Sequence, residues 1–75
     1  MTTLADLPIG GSAAVERVEG ASEVSCRLLE MGITPGVTLR VLGVAPWGDP
    51  IEIEVRGYRL SLRKSEAALV SIRPA

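Results

Sequence analysis

Residues 51–63 read Ile-Glu-Ile-Glu-Val-Arg-Gly-Tyr-Arg-Leu-Ser-Leu-Arg, and this stretch decides the fold. From Ile51 to Arg56 apolar and charged side chains alternate without a break, which places the apolar ones on one face. A second alternating run follows Gly57 and continues to Arg63. The stretch therefore predicts an antiparallel β-hairpin that turns around Arg56-Gly57-Tyr58.

Three further strands are predicted on either side of this hairpin. Residues 37–41 alternate in the same way, but residues 42–45 have apolar residues at both odd and even positions and contain Gly43. A bulge or sharp bend near Gly43 would explain that change. Residues 12–19 and 69–73 predict two more short strands, the last with Val70 and Ile72 facing inward. The chain is thus expected to be mostly β, a small and partly open barrel of about five strands.

One α-helix is predicted between the first two strands, because apolar residues recur there at intervals of three and four: Ala21, Val24, Leu28 and Met31. Ser22 is a suitable N-cap and Gly32 a suitable residue after the last turn, so the helix is expected over residues 23–31. Residues 65–68 predict a single helical turn, capped by Ser65, before the last strand.

The composition limits what the chain can do. Its 75 residues fit one domain, residues 1–75, and 47% of them are apolar with only 3% aromatic, so the core must be aliphatic. A net charge of −1 provides no positive field, so nucleic acid is not an expected partner. A lone cysteine and the lack of a leader or a long apolar run predict a cytoplasmic protein that does not insert into membranes.

The sequence does not predict an enzyme. It contains no histidine, and no residue stands where it would activate Cys26 or a serine, so neither catalysis nor a required cofactor is expected. Cys26 lies on the predicted helix within one turn of Glu23 and Glu30. A thiolate and carboxylates can ligate Fe(II) or another divalent transition metal. The alternative is a buried or half-buried thiol without a ligand.

Six residues are candidates for binding a partner protein: Leu28, Leu29, Met31, Pro46, Trp47 and Asp49. Leu28 and Leu29 lie about 100° apart on the helix, so either one of them faces outward or both line the core. Residues 45–50 form an apolar loop with the only Trp, which either faces solvent as a binding residue or covers the end of the barrel.

The one local group of basic residues consists of Arg59, Arg63 and Lys64. It is either an anion site or the solvated face of a strand whose arginines pair with Glu52 and Glu54 across the hairpin.

Several motifs in order resemble the FeoA family. Residues 27–36, Arg-Leu-Leu-Glu-Met-Gly-Ile-Thr-Pro-Gly, are similar to its signature RLLEMG-x-x-PG. Residues 45–51 resemble its AP-x-GDPI loop, and residues 60–67 resemble its LxLRKxEA element. The N-terminal part is similar too, at Leu4, Leu7 and Gly10. Trp47 departs from the family, which more often has a smaller aliphatic residue there.

This resemblance implies a Src-homology-3-like barrel and a cytoplasmic accessory or regulatory role in bacterial ferrous iron uptake. The implied partner is FeoB, the membrane transporter whose cytoplasmic part includes a GTP-binding domain. The candidate apolar residues Leu28, Leu29 and Trp47 then predict docking through the helix and the loop of Trp47. The alternative is a metal-sensing module related to the C-terminal domain of iron-dependent repressors. In that alternative Cys26 and neighbouring carboxylates bind Fe(II), with a weak homo-oligomer supplying further ligands. A third hypothesis is a peptide-binding barrel with Trp47 and Tyr58 as its groove aromatics.

Overall fold

Alternating aliphatic side chains build a five-stranded antiparallel sheet in the computed structural model, which describes residues 2–20 and 22–74. The strands are β1 (Ser12–Val18), β2 (Thr38–Val44), β3 (Ile51–Val55), β4 (Tyr58–Leu62) and β5 (Val70–Pro74). They are hydrogen-bonded in the order β4-β3-β2-β1-β5. The mostly-β class and the five strands expected from the sequence are confirmed.

The β3–β4 hairpin has the predicted position. Its register pairs Val55 with Tyr58 and Ile51 with Leu62, so only Arg56 and Gly57 form the turn. Both turn residues have positive φ, 53° and 81°, as a tight two-residue hairpin turn requires. The predicted irregularity in β2 is also confirmed, because the register against β3 shifts between Val41 and Gly43.

The core is aliphatic and receives side chains from every strand and from the helices. Its centre includes Ile53 and Val41 on neighbouring strands, whose side chains have no exposed surface. The remaining core residues are Leu4, Ala13, Val15, Leu28, Ile33, Leu39, Ile51, Val55, Leu62, Ala67, Val70 and Ile72. Neither Trp47 nor Tyr58 belongs to it, as the low aromatic content predicted.

Helix α1 (Glu23–Glu30) begins at Ser22, whose hydroxyl accepts a hydrogen bond from the Ser25 N–H at 3.3 Å. It ends one residue earlier than predicted, with Met31 as its C-cap and Gly32 at φ 99°. The prediction that Ala21 belongs to its apolar stripe lies outside the described residues.

The second helix lies one residue earlier than the predicted turn at 65–68, and its N-cap lies two residues earlier. Helix α2 (Lys64–Ala67) has Arg63 as its N-cap, not Ser65. The reason is that Glu66 reaches back one turn: its Oε1 accepts a hydrogen bond from the Arg63 N–H at 2.8 Å. A carboxylate at this position satisfies a backbone donor that the first helical turn leaves free. A short 3-10 turn (Leu4–Asp6) precedes β1.

Candidate docking surface

The connection between β2 and β3, residues 45–50, is a closed loop, which we call the Trp47 loop. The Ala45 N–H donates to the Pro50 carbonyl at 3.0 Å, which joins the two ends of the loop. Inside it, the Gly48 N–H donates to the Ala45 carbonyl at 2.7 Å, forming a four-residue turn. Pro46 fixes one backbone angle of this turn, and Gly48 adopts φ 85°, a value that suits glycine. The loop is therefore held by its own backbone.

Trp47 projects from this loop into solvent. Its side chain is 91% exposed, the largest exposed fraction among the large apolar residues of the described chain. Of the two sequence-based alternatives, the structure shows the solvent-facing one, and the indole does not cover the barrel end. An aromatic side chain held out by a hydrogen-bonded turn loses little conformational freedom when a partner covers it.

Asp49 connects the Trp47 loop to α2. Its Oδ1 accepts a hydrogen bond from the Lys64 N–H at 3.0 Å, in the first turn of that helix. Asp49 and Pro46 are both exposed, in agreement with their candidacy as contact residues. The structure gives the Asp49 carboxylate an intramolecular role as well, because it positions the loop relative to α2.

Helix α1 exposes only one of its two adjacent leucines. Leu28 is fully buried, whereas Leu29 is 41% exposed. The inclusion of Leu28 among the partner-binding residues is therefore wrong: it extends the apolar stripe of α1 into the core and cannot contact a partner. Met31 is half-buried and packs against the core, so it offers only part of its surface. Leu29 is the outward-facing leucine.

A salt bridge joins the two helices. Arg27 Nη2 on α1 lies 2.6 Å from Glu66 Oε2 on α2, while the other carboxylate oxygen of Glu66 caps the Arg63 N–H. The backbone hydrogen bond from Arg63, supported by the guanidinium of Arg27, lowers the pKa of Glu66 against the opposing effect of its burial. A shallow groove of about 470 Å³ lies beside this pair, with Val24 and Leu69 among its lining residues.

Two hydrogen-bond links therefore run from α1 to the Trp47 loop. The first is Arg27 to Glu66, and the second is Lys64 to Asp49, with the short helix α2 between them. Sequence reasoning missed both links, since they join residues 39 and 15 positions apart. It also missed Ile9, which is 63% exposed in the turn before β1, although its flanking Pro and Gly residues indicate a turn.

The metal candidates are not assembled into one site. Glu23, Cys26 and Glu30 are all exposed on α1, so Cys26 is not the buried or half-buried thiol considered from the sequence. Glu23 and Glu30 lie two helical turns apart, about 10 Å along the axis, too far to ligate one ion together. Within the described ranges, no group of three or more His, Cys, Asp or Glu side chains could hold a metal. Metal binding through Cys26 stays a prediction that needs ligands from a second molecule.

The basic residues Arg59, Arg63 and Lys64 are exposed, and Arg59 lies opposite Glu54 in the hairpin register. This arrangement agrees with a solvated strand face for Arg59. Across residues 2–20 and 22–74, no helix is long and apolar enough to cross a membrane.

Comparison with known proteins gives one family. The FeoA domain family model matches residues 2–74. The chain is also 38% identical over 69 residues to an Fe(2+) transport protein A/Fe(2+) transporter FeoB fusion protein of Porphyromonas gingivalis. The match covers 92% of this chain but only 8% of the length of that fusion protein.

Solved structures of similar proteins share the fold. Iron(II) transport protein A from Clostridium thermocellum superposes with a TM-score of 0.93 at 34% identity, covering 99% of this chain and 46% of that one. Stenotrophomonas maltophilia FeoA, a prokaryotic SH3 domain protein complexed with zinc, gives 0.88 at 34% identity over 97% and 91%. The manganese regulator SloR gives 0.83 at 22% identity over 99% and 34%, a likeness of fold alone. The barrel is therefore Src-homology-3-like.

Proposed function

Because the chain belongs to the FeoA family, we propose that it is a cytoplasmic accessory protein of bacterial ferrous iron uptake. In this proposal it acts without catalysis, by binding the membrane transporter FeoB near the cytoplasmic GTP-binding region. The P. gingivalis relative supports this partner, because there a FeoA-like sequence and the transporter form one polypeptide. Two domains that are fused in one protein often associate as separate chains in another, since fusion only raises their effective concentration.

The observation that carries the proposal is the exposure of Trp47, at 91%, on a loop that its own hydrogen bonds hold in place. Full burial of a Trp side chain removes about 150–250 Å² from water, which at about 25 cal/mol per Å² favours association by about 4–6 kcal/mol. The costs of association reduce that figure. A single Trp in a rigid loop is nevertheless enough to act as the main contact of a small interface.

The surroundings of Trp47 suit the rim of such an interface. Pro46 and Asp49 lie on either side of it in the loop. The Lys64 N–H donates a hydrogen bond to the Asp49 carboxylate. Leu29, which is 41% exposed on α1, offers a second, smaller apolar surface. We propose that Trp47 is the central contact and that Leu29 is peripheral. The basic side chains of Arg63 and Lys64 then favour an acidic surface on FeoB.

Titration of the purified protein against the cytoplasmic part of FeoB tests this function directly. Trp47→Ala is expected to weaken binding by at least about thirtyfold, because the main contact is lost. Leu29→Ala is expected to weaken it by about fivefold. Tyr58→Ala is the matched control: Tyr58 is the other aromatic residue, is 73% exposed, and lies at the β3–β4 turn, the opposite end of β3 from the loop.

The possible outcomes distinguish an error in the proposed docking surface from an error in the proposed partner. Loss of binding with Tyr58→Ala but not with Trp47→Ala would move the interface to the hairpin end. No saturable binding by the unmodified protein would reject FeoB as the partner. The competing hypothesis, a metal-sensing module, is disfavoured by the donor geometry on α1. Anaerobic calorimetry with Fe(II) on the unmodified protein and on Cys26→Ser would restore it if saturable, Cys26-dependent binding were found.

A further inference from the structure

The two edge strands of the sheet differ in whether another segment of the chain covers their free backbone groups. At the β5 edge, the Ile72 N–H donates to the Thr2 carbonyl at 3.0 Å, and Thr3 forms a bridge with Ser71. The segment before the 3-10 turn therefore covers that edge. Covering an edge in this way prevents another chain from adding to it.

The β4 edge has no such cover among the described residues. In the β3–β4 hairpin a two-residue turn makes Val55 and Tyr58 a hydrogen-bonded pair. Alternation along the ladder then makes Ile53–Leu60 and Ile51–Leu62 hydrogen-bonded pairs as well. Arg59 and Ser61 consequently direct their backbone N–H and C=O groups away from β3. Within residues 2–20 and 22–74, these groups form no hydrogen bond to another backbone group.

We propose that two copies of the chain pair through this β4 edge, residues 59–61, to form a continuous antiparallel sheet. The free backbone groups belong to the two residues that flank Leu60. An antiparallel pairing about a two-fold axis at Leu60 places Arg59 of one copy opposite Ser61 of the other. Each of these two pairs forms two backbone hydrogen bonds, so the edge is complementary to itself without any shift in register.

The side chains agree with this register. On the solvent face, β3 places Glu54 beside Arg59 and Glu52 beside Ser61. In the joined sheet, one row of neighbouring side chains would consist of Glu54 and Arg59 from the first copy, followed by Ser61 and Glu52 from the second copy. The two-fold axis generates a second, equivalent row. In neither row do like charges lie directly opposite each other. The small Ser61 leaves room for the long Arg59 side chain.

The inner face also favours a second copy over an unrelated strand. Leu60 is half-buried and packs against the core. On the two-fold axis the two Leu60 side chains would contact each other and extend the aliphatic core across the interface. Only four backbone hydrogen bonds and this contact would join the copies, an interface below the usual size of stable complexes. The dimer is therefore expected to be weak and dependent on concentration.

Sedimentation velocity from about 10 µM to about 1 mM tests the proposal with the protein alone. The expected result is a reversible shift from monomer toward dimer, with concentration-dependent amide shifts in NMR spectra centred on residues 59–61. Ser61→Pro removes a backbone donor that β3 does not use, and it should abolish the shift. A monomer at every concentration would overturn the proposal.

A pair of charge variants tests the register even if the proline variant fails to fold. Ser61→Arg places two arginines opposite each other across the interface and should weaken the dimer by about tenfold. Ser61→Glu places a carboxylate opposite Arg59 of the second copy and should strengthen it by a similar factor. Within one chain the signs reverse, because Ser61 lies opposite Glu52. Dimer affinities that instead follow the thermal stability of the monomer would overturn the proposal, as would binding of FeoB at this edge by a protein that remains monomeric.

Discussion

The barrel core and the Trp47 loop use apolar side chains in opposite ways. The core excludes both aromatic residues and consists of tightly packed aliphatic side chains such as Leu28 and Ile53. The loop holds its one large apolar side chain in solvent, and its conformation depends on backbone hydrogen bonds and on Asp49. The difference teaches that the side chains that carry most of the stability are not the one offered to a partner, while Asp49 contributes to both.

The largest expected effect is that of Leu28→Ala on stability. Leu28 has no exposed surface, so removal of its side chain leaves a cavity and should lower the free energy of unfolding by about 2–5 kcal/mol. Urea denaturation measures this. Leu29→Ala, one residue along the same helix, is the matched control and should cost less than about 1 kcal/mol. Equal losses of stability for the two variants would mean that Leu28 and Leu29 are equally packed, which would contradict the burial of Leu28 alone.

The next largest effect is expected where the loop meets α2. Asp49→Ala leaves the Lys64 N–H without its carboxylate acceptor and should lower stability by about 1 kcal/mol, within a range of about 0.5–2. It should also loosen the Trp47 loop and weaken binding through it. Asp49→Asn keeps an oxygen acceptor and is expected to lose less than half as much in the same denaturation measurement. A full loss with Asn would show that charge, and not the hydrogen bond, is what matters.

Much of the core could be predicted from the sequence, and much of the loop could not. The alternation of apolar and polar side chains over residues 51–63 was enough to predict the hairpin. Gly43 was enough to predict the bulge in β2. For Leu28 and Leu29 the sequence left two outcomes open, that one faces outward or that both line the core, and the structure buries Leu28 alone. The apolar stripe of Val24, Leu28 and Met31 indicates Leu28 as the buried one, whereas cover of Leu29 by the sheet depends on how α1 sits on the barrel.

The contacts of the docking surface are long-range and therefore invisible to local patterns. The sequence places Asp49 in the loop at residues 45–50, but its bond to Lys64 exists only because the barrel brings the loop beside α2. The same holds for Arg27 and Glu66, which are 39 positions apart. The sequence predicted where the loop is, while tertiary packing decided what it contacts.

A smaller effect, dependent on pH, is expected for Glu66→Gln. At neutral pH this variant keeps an oxygen for the Arg63 N–H but loses the ionic contact with Arg27, which is 61% exposed, so the loss should be only about 0.5 kcal/mol. Because the pKa of Glu66 is lowered in the folded protein, its charge stabilises the fold above the pKa of the unfolded chain, about 4.3. That contribution is lost as the pH falls below this value and through the lowered pKa.

Denaturation of the unmodified protein and of Glu66→Gln at a series of pH values measures this difference. The two stabilities should converge in acid, since a protonated Glu66 resembles Gln in charge and shape. A difference that persists or grows as the pH falls would contradict the assignment of the lowered pKa to this contact. Arg27→Gln is the complementary control and should show a similar loss at neutral pH.

The smallest effect on stability is expected for Trp47→Ala, although it should have the largest effect on partner binding. The indole is 91% exposed, so its removal takes away almost no packed surface and should change the free energy of unfolding by less than about 0.5 kcal/mol. The native fluorescence of Trp47 should already resemble that of the unfolded chain, because water surrounds the ring in both states. A loss of about 2 kcal/mol or a blue-shifted native emission would instead place the ring against the barrel, and the separation between core and loop would fail.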